Sequence, residues 1–291
     1  MRIPKVRLSF SKMLPAAILF ATPLLIAAIG ELVAERGGIV NISIEGMMLI
    51  GAMAAALVNA GTQSVAAGIL AAIASAALLG ILFATVTLIF AADQIVTGAG
   101  INLLALGVSG ALYERFSNPS ATIHGFAPHW ISIFALLLAI AAWIFLWQTR
   151  PGLELSAIGE SPQSAAAAGV PVSRRRLYAI LFGAACAGLA GAYLSTIRGQ
   201  QFVENMTEGR GFLALAIVIF GRWSAPGIVG AALFFGLVRA AADQLQLSPH
   251  IAQSTAKLLN ILPYALSIIA LATVTARSRA PAALGQSYVR A

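Results

Sequence analysis

RPGLELSAIGESPQSAAAAGVPVSRRR, Arg150 to Arg176, is the longest interruption in a chain that is otherwise close to continuous hydrocarbon. It opens on Pro-Gly and closes on three consecutive arginines. Between them, residues 161–169 read as one short helix. Ser161 offers a capping hydroxyl, and Pro162 stands in a first turn, where its missing N–H costs nothing. Gly169 accepts the left-handed end, and Pro171 forbids continuation. An apolar chain thus holds a small capped helix outside the lipid on its arginine-rich side, which suggests a docking element.

Composition explains why the rest belongs in a membrane. Of 291 residues, 59% are hydrophobic and 10% charged, against roughly a quarter charged in soluble domains; mean hydropathy is +0.90. No single core could hide that much apolar surface, so the reading is several transmembrane helices of about 20 residues each. The long Ala/Leu/Ile/Gly runs do not alternate, which excludes a β-barrel. The net charge of +8 sits at loop ends and carries topology, not nucleic-acid binding. A single cysteine, Cys186, permits no intrachain disulfide and no cysteine-based metal site.

The expected fold is an all-α polytopic membrane protein of about 8–10 membrane helices, counting broken or re-entrant segments. Residues 1–13 read as a cytoplasmic N-terminal segment, 14–276 as the membrane domain with 149–176 as its cytoplasmic loop, and 277–291 as a cytoplasmic tail. Arg2, Lys5, Arg7 and Lys12 at one end, and Arg277, Arg279 and Arg290 at the other, place both termini inside. Spans are expected near 14–34, 64–90, 95–112, 130–147, 177–197, 227–242 and 255–274. Gly37-Gly38 breaks the chain after the first, and the apolar helix from about Glu45 to Asn59 reads as too short to cross. Five apolar segments precede the loop, whereas two cytoplasmic ends require an even number of crossings. Residues 37–58 are therefore expected not to cross. Residues 211–220 form a second short apolar piece, stopped by Gly221 and Pro226. Paired broken segments in two halves point to a transport pathway.

Polar groups inside apolar segments cost a few kcal/mol unless paired or wetted. Asn41 and Glu45 stand four apart around the first break, so they share a face if helical. They either line a water-filled path or, for Glu45, cap the following helix. Gln94 and Asn102 form a second group, with a helix–helix hydrogen bond as the structural alternative for Asn102. These four are the candidate path residues. Asp93 reads as a helix-end charge, Arg239 and Asp243 as an i, i+4 pair, and Lys257 and Asn260 as snorkelling or paired. No G-x-x-x-x-G-K-[ST], H-E-x-x-H or G-x-S-x-G run occurs, and His124, His129 and His250 are isolated. An enzyme, a metal centre or a nucleotide site in this chain is therefore unsupported.

Four ordered runs carry a family likeness: GGIVNISIEGMMLIGA (37–52), DQIVTGAGINLLALG (93–107), LSAIGESPQSAAAAGV (155–170) and GRGFLALAIVIFGRWSAPGIVGAALFFG (209–236). Together they resemble the permease subunits of bacterial ABC importers, in the branch with ribose-type and branched-chain amino-acid permeases. The resemblance is strongest to the nucleoside/simple-sugar group served by lipoprotein binding proteins of the basic-membrane-protein type. It implies a permease of the inner membrane with no cofactor of its own, ATP being bound by a partner ATPase. It implies further partners: a second homologous permease in a heterodimer, a periplasmic or lipoprotein solute-binding protein, and lipid. The coupling helix that docks on the ATPase would be 161–169, with Ser161, Gln163, Ser164, Ala165, Ala166, Ala168 and Gly169. Its alanine run echoes the E-A-A…G motif of other ABC permeases, but Glu160 lies before the helix and does not take that motif's glutamate role. The rival reading is a secondary transporter driven by an ion gradient, for which Glu45 and Asp93 are the candidate carboxylates. A non-transporting membrane scaffold is a third reading, against which the broken helices argue.

Overall fold

The computed structural model describes residues 10–118, 122–125, 127–246, 261, 265–266, 268 and 280–288. The described chain is all-helical: α1 (Phe10–Arg36), α2 (Ile44–Thr62), α3 (Val65–Ala84), α4 (Gln94–Phe116), α5 (Pro128–Gln148), α6 (Arg150–Glu160), α7 (Pro162–Ala167), α8 (Val172–Ala192), α9 (Arg210–Phe220) and α10 (Ala225–Gln246). Helices α3 and α8 each continue into a π-helical turn, Thr85–Ile89 and Tyr193–Arg198. Seven helices are long and apolar enough to span a membrane, and α9 is a shorter apolar helix. All but residues 261, 265–266 and 268 of the expected last span lie outside the described residues, as do Lys257, Asn260, His250, the tail arginines and the first basic segment through residue 9.

Helix α1 is the axis of the bundle, buried along most of its length against α10, α8, α5 and α9. A second layer packs α2 on α3, α8 and α4. In hydrocarbon, close packing has to supply what the hydrophobic effect supplies in water. Gly51 meets Gly188 backbone to backbone, and a Cβ on Gly191 would stand 2.0 Å from the Met48 carbonyl oxygen. We expect Gly191→Ala to cost about 1–3 kcal/mol of overpacking, read as a lowered melting temperature in detergent. Gly230→Ala, where nothing lies within 4 Å, should leave it unchanged. Leu70 and Leu78 of α3, Leu103 of α4 and Leu137 of α5 point outward, as lipid-facing residues should.

Three expectations are corrected. The helix after the first break is long enough to cross: α2 spans 19 residues and counts among the seven. It ends on Gln63, which takes the left-handed conformation and donates its N–H to the Asn59 carbonyl. Second, the Arg150–Arg176 stretch contains two helices, not one. Pro151 stands in the first turn of α6, and Thr149 caps it by accepting from the Gly152 amide at 3.2 Å. Helix α7 is Pro162–Ala167, so Ala168 and Gly169 form its terminal turn. Ser161 caps it as expected (3.3 Å from the Ser164 amide), with Gly169 at φ +85°. The arginine triplet lies inside α8, which begins at Val172.

Third, α1 and α5 run parallel. The Thr22 and Ser132 hydroxyls meet at 2.7 Å in their first halves, and the Arg36 guanidinium stands 5.2 Å from the Trp147 ring at their far ends. Helix α8 runs the opposite way, with Arg176 beside Gly37 and Tyr193 beside Leu19. The start of α1 and the Arg150–Arg176 loop are therefore at opposite ends of the bundle. They cannot both be cytoplasmic. Five helices separate them because α2 completes its crossing.

Candidate functional site

The chain turns sharply after α1. Gly38 has φ +81°, a conformation open to glycine, and its N–H bonds to the Glu35 carbonyl at 2.9 Å. The Ile39 amide still donates to the Ala34 carbonyl of α1 (3.1 Å) and the Asn41 carbonyl accepts from the Ile44 amide (3.2 Å), but between them the Val40 and Asn41 amides and the Ile42 carbonyl have no helical partner, so side chains satisfy them. The Val40 amide donates to Gln94 Oε1 at 2.7 Å, and the Asn41 amide donates to Glu31 Oε1 at 2.8 Å. Asn102 does two jobs. Its Nδ2 donates to the Ile42 carbonyl at 2.9 Å, and its Oδ1 accepts from the Gly46 amide at 2.8 Å. Asn41 accepts from the Ser43 hydroxyl and points Nδ2 at Met47 Sδ, 3.5 Å away.

Glu45 reaches across to the second short segment. Its two carboxylate oxygens accept from the amides of Gly209 (2.8 Å) and Gly211 (2.6 Å) at the amino end of α9. Gly211 is required there, since a Cβ would come within 2.6 Å of the Glu45 backbone. A carboxylate on a helix amino terminus is matched both to the free N–H groups and to the helix dipole. Glu45 is thus a cap, but of α9, not of its own helix. Asn41, Glu45, Gln94 and Asn102 are brought together on one object, the join between two broken segments. Asp93 is a simple cap of α4, accepting from Ile95 and Val96 at 2.8 and 2.9 Å. Arg239 and Asp243 pair at 3.1 Å.

A second cluster lies one turn away, at the end of the bundle that carries α6 and α7. Trp223 Nε1 donates to Glu35, and Arg36 donates to the Trp223 carbonyl at 3.1 and 2.5 Å, fixing the turn after α9 to the end of α1. Arg176, buried, donates Nε to the Gly37 carbonyl (2.9 Å) and Nη1 to the Gln286 carbonyl (3.1 Å). Gln286 belongs to a strap, residues 280–288, that continues the connection. Its Ala283 amide donates to the Gly159 carbonyl at the end of α6 (2.8 Å), its Gly285 amide to the Gly38 carbonyl (3.0 Å), and the Ser287 hydroxyl to the Ala91 carbonyl (3.3 Å). The break, the loop helices and the starts of α4 and α8 are therefore tied at one place.

A family model described as branched-chain amino acid transport system / permease component matches residues 13–271. The chain belongs to that permease family. It is 32% identical to the guanosine ABC transporter permease protein NupQ of Bacillus subtilis, over 96% of this chain and 97% of that one. It is 31% identical to the nucleoside ABC transporter permease protein NupC of Lactococcus lactis, over 94% and 95%. The putative glucose ABC transporter permease protein TsgC13 of Haloferax volcanii is 32% identical, over 96% and 97%. The permease is the membrane-spanning subunit of an ABC importer.

Sequence reasoning missed five residues of this permease: Glu31, Glu35, Arg36, Arg176 and Trp223. One signal was available. Glu31 and Glu35 stand four apart in an apolar run, LLIAAIGELVAER, and so share a helix face that has to be buried with partners. Arg176 carried no such signal, because an arginine triplet beside a span reads as a topology marker.

Proposed function

We propose that the permease forms, with a second related permease, the path for an uncharged polar solute, a nucleoside or simple sugar, across the inner (plasma) membrane. A separate ATPase binds ATP, a binding protein delivers solute to the far face, and this chain needs no cofactor. The solute class draws on the guanosine, nucleoside and glucose permeases it resembles. It also draws on Glu45. Half-helix amino termini are where transporters hold anionic substrate groups, and here the chain's own carboxylate occupies that end of α9. The pairing draws on each organism supplying a second related permease: NupP beside NupQ, TsgB13 beside TsgC13, NupB beside NupC.

The observation that carries the mechanism is the run of hydrogen bonds from Gly159 through the strap to Gly37 and Gly38. The end bearing α6 and α7 faces the cytoplasm, and the start of α1 faces the other side. The ATPase grips α7 on its outward residues Gln163, Ser164, Ala168 and Gly169. Ala165 is buried with Ile158 and Val172 and makes α7 one piece with α6 and α8, with Ser161 as its cap and Ala166 half-buried between. Movement of α7 then reaches the break through α6 and the strap, and the four polar residues of the break keep it rigid enough to shift as a unit, exposing the path alternately. Ala167→Glu, on the outward face, tests this. Uptake and co-purification of the ATPase should fall at least tenfold while membrane insertion is unchanged. Uptake that persists in the variant, or without any ATPase, would point instead to a transporter driven by an ion gradient.

A further inference from the structure

A groove of about 450 Å³ runs between α5 and α8 on the outside of the bundle. Its walls are apolar, Leu138, Ala141 and Phe145 on one side and Ala179 and Phe182 on the other, and its end is closed by Leu155 of α6. Around it α5 presents Leu137, Ile144 and Trp147 outward, so the groove opens onto hydrocarbon. Its closed end is cationic. Arg175 lines it, paired with Glu154 (Nε to Oε2, 2.7 Å). Arg174 donates to the Tyr178 hydroxyl at 3.0 Å and stands 5.6 Å from that ring. Arg150 precedes the lining Pro151. Arg174 reaches this end through Tyr178, which lines the groove, so one positive charge beyond the Arg175–Glu154 pair stands at the closed end.

We propose that this groove is a binding site for an anionic phospholipid, with one acyl chain along α5 and α8 and the phosphate at Arg174 and its neighbours. Three features select that occupant. The slot is apolar and faces the bilayer. Its charged rim stands at one end only, beside the tryptophans that mark an interface. Basic pockets between membrane helices on the cytoplasmic side bind acidic headgroups. A zwitterionic lipid would bring its own cation to the rim and leave the excess charge unmatched. The site also joins α5, α6 and α8, so the lipid would brace the helix that precedes α7. The inference rests on the loop end being the cytoplasmic end, and its test does not depend on uptake.

The test is native mass spectrometry of the purified transporter with added phosphatidylglycerol or phosphatidylcholine. One phosphatidylglycerol per copy of this chain should survive conditions that strip phosphatidylcholine. Arg174→Gln should weaken its retention about fivefold, the effect of one basic residue at a membrane surface, and Ala141→Phe, which fills the slot from an exposed position, should abolish it. Both variants should assemble and melt like the parent. Equal retention of the two lipids, retention unchanged by both variants, full competition by inorganic phosphate, or a partner-permease helix cross-linked into the groove would each overturn the proposal. Loss of the site with α7 still engaging its ATPase would leave the importer reading intact.

Discussion

Glu45→Ala is expected to abolish uptake and to destabilise the permease more than any other single substitution at the break. Both Glu45 oxygens accept amides at the start of α9, that of Gly211 buried and that of Gly209 partly buried. Leaving a buried donor unsatisfied costs about 1–3 kcal/mol, more where a charged partner is lost, so the two donors together put the loss at roughly 2–6 kcal/mol. Glu45→Gln keeps the length but offers one accepting oxygen and turns an amide N–H₂ towards the other donor, so it should recover at most half of that. Glu45→Asp is too short to reach both. Uptake into vesicles and melting in detergent should rank Glu, then Gln, then Ala. If Glu45→Ala transports normally, the join between α2 and α9 is not part of the transport machinery.

Removing residues 280–291 is expected to uncouple the transporter. The strap is the connection from Gly159 to Gly38, and Arg176 loses the Gln286 carbonyl without it. ATP hydrolysis by the reconstituted complex should continue, because α7 keeps its outward face, while solute uptake per ATP falls at least tenfold. Arg176→Lys gives the same phenotype in milder form. A lysine presents one ammonium where arginine's planar fork bonds two carbonyls at once, so one of Gly37 and Gln286 goes unpaired. If truncation lowers hydrolysis and uptake in equal proportion, the strap serves assembly and does not transmit movement.

Much of this molecule was readable as a sequence because local chemistry dictated it. The Ser161 cap, the Gly169 stop, the break at Gly37-Gly38, the short apolar α9 and the Asp93 cap all follow from residues within a few positions of each other. The Arg150-Pro151-Gly152 run misled because Pro-Gly signals a turn, whereas proline in a first turn, capped by Thr149, starts a helix equally well. The candidate path residues were legible as costly polar groups, but their partners were not. Glu45 bonds a helix that begins more than 160 residues later, and no periodicity reports a contact of that range. The orientation of α1 failed for a related reason. The flanking basic residues and the number of crossings give opposite answers, and only the packing of α1 against α5 and α8 decides between them.

Coupling to an ATPase requires α7 to lie on the cytoplasmic side of the membrane. The direct measurement is labelling of a single cysteine, Gln163→Cys in a Cys186→Ala background, with a membrane-impermeant maleimide. Intact cells should show no labelling, permeabilised cells full labelling, and the bound ATPase should protect the site. Labelling of intact cells from outside would contradict that placement of α7.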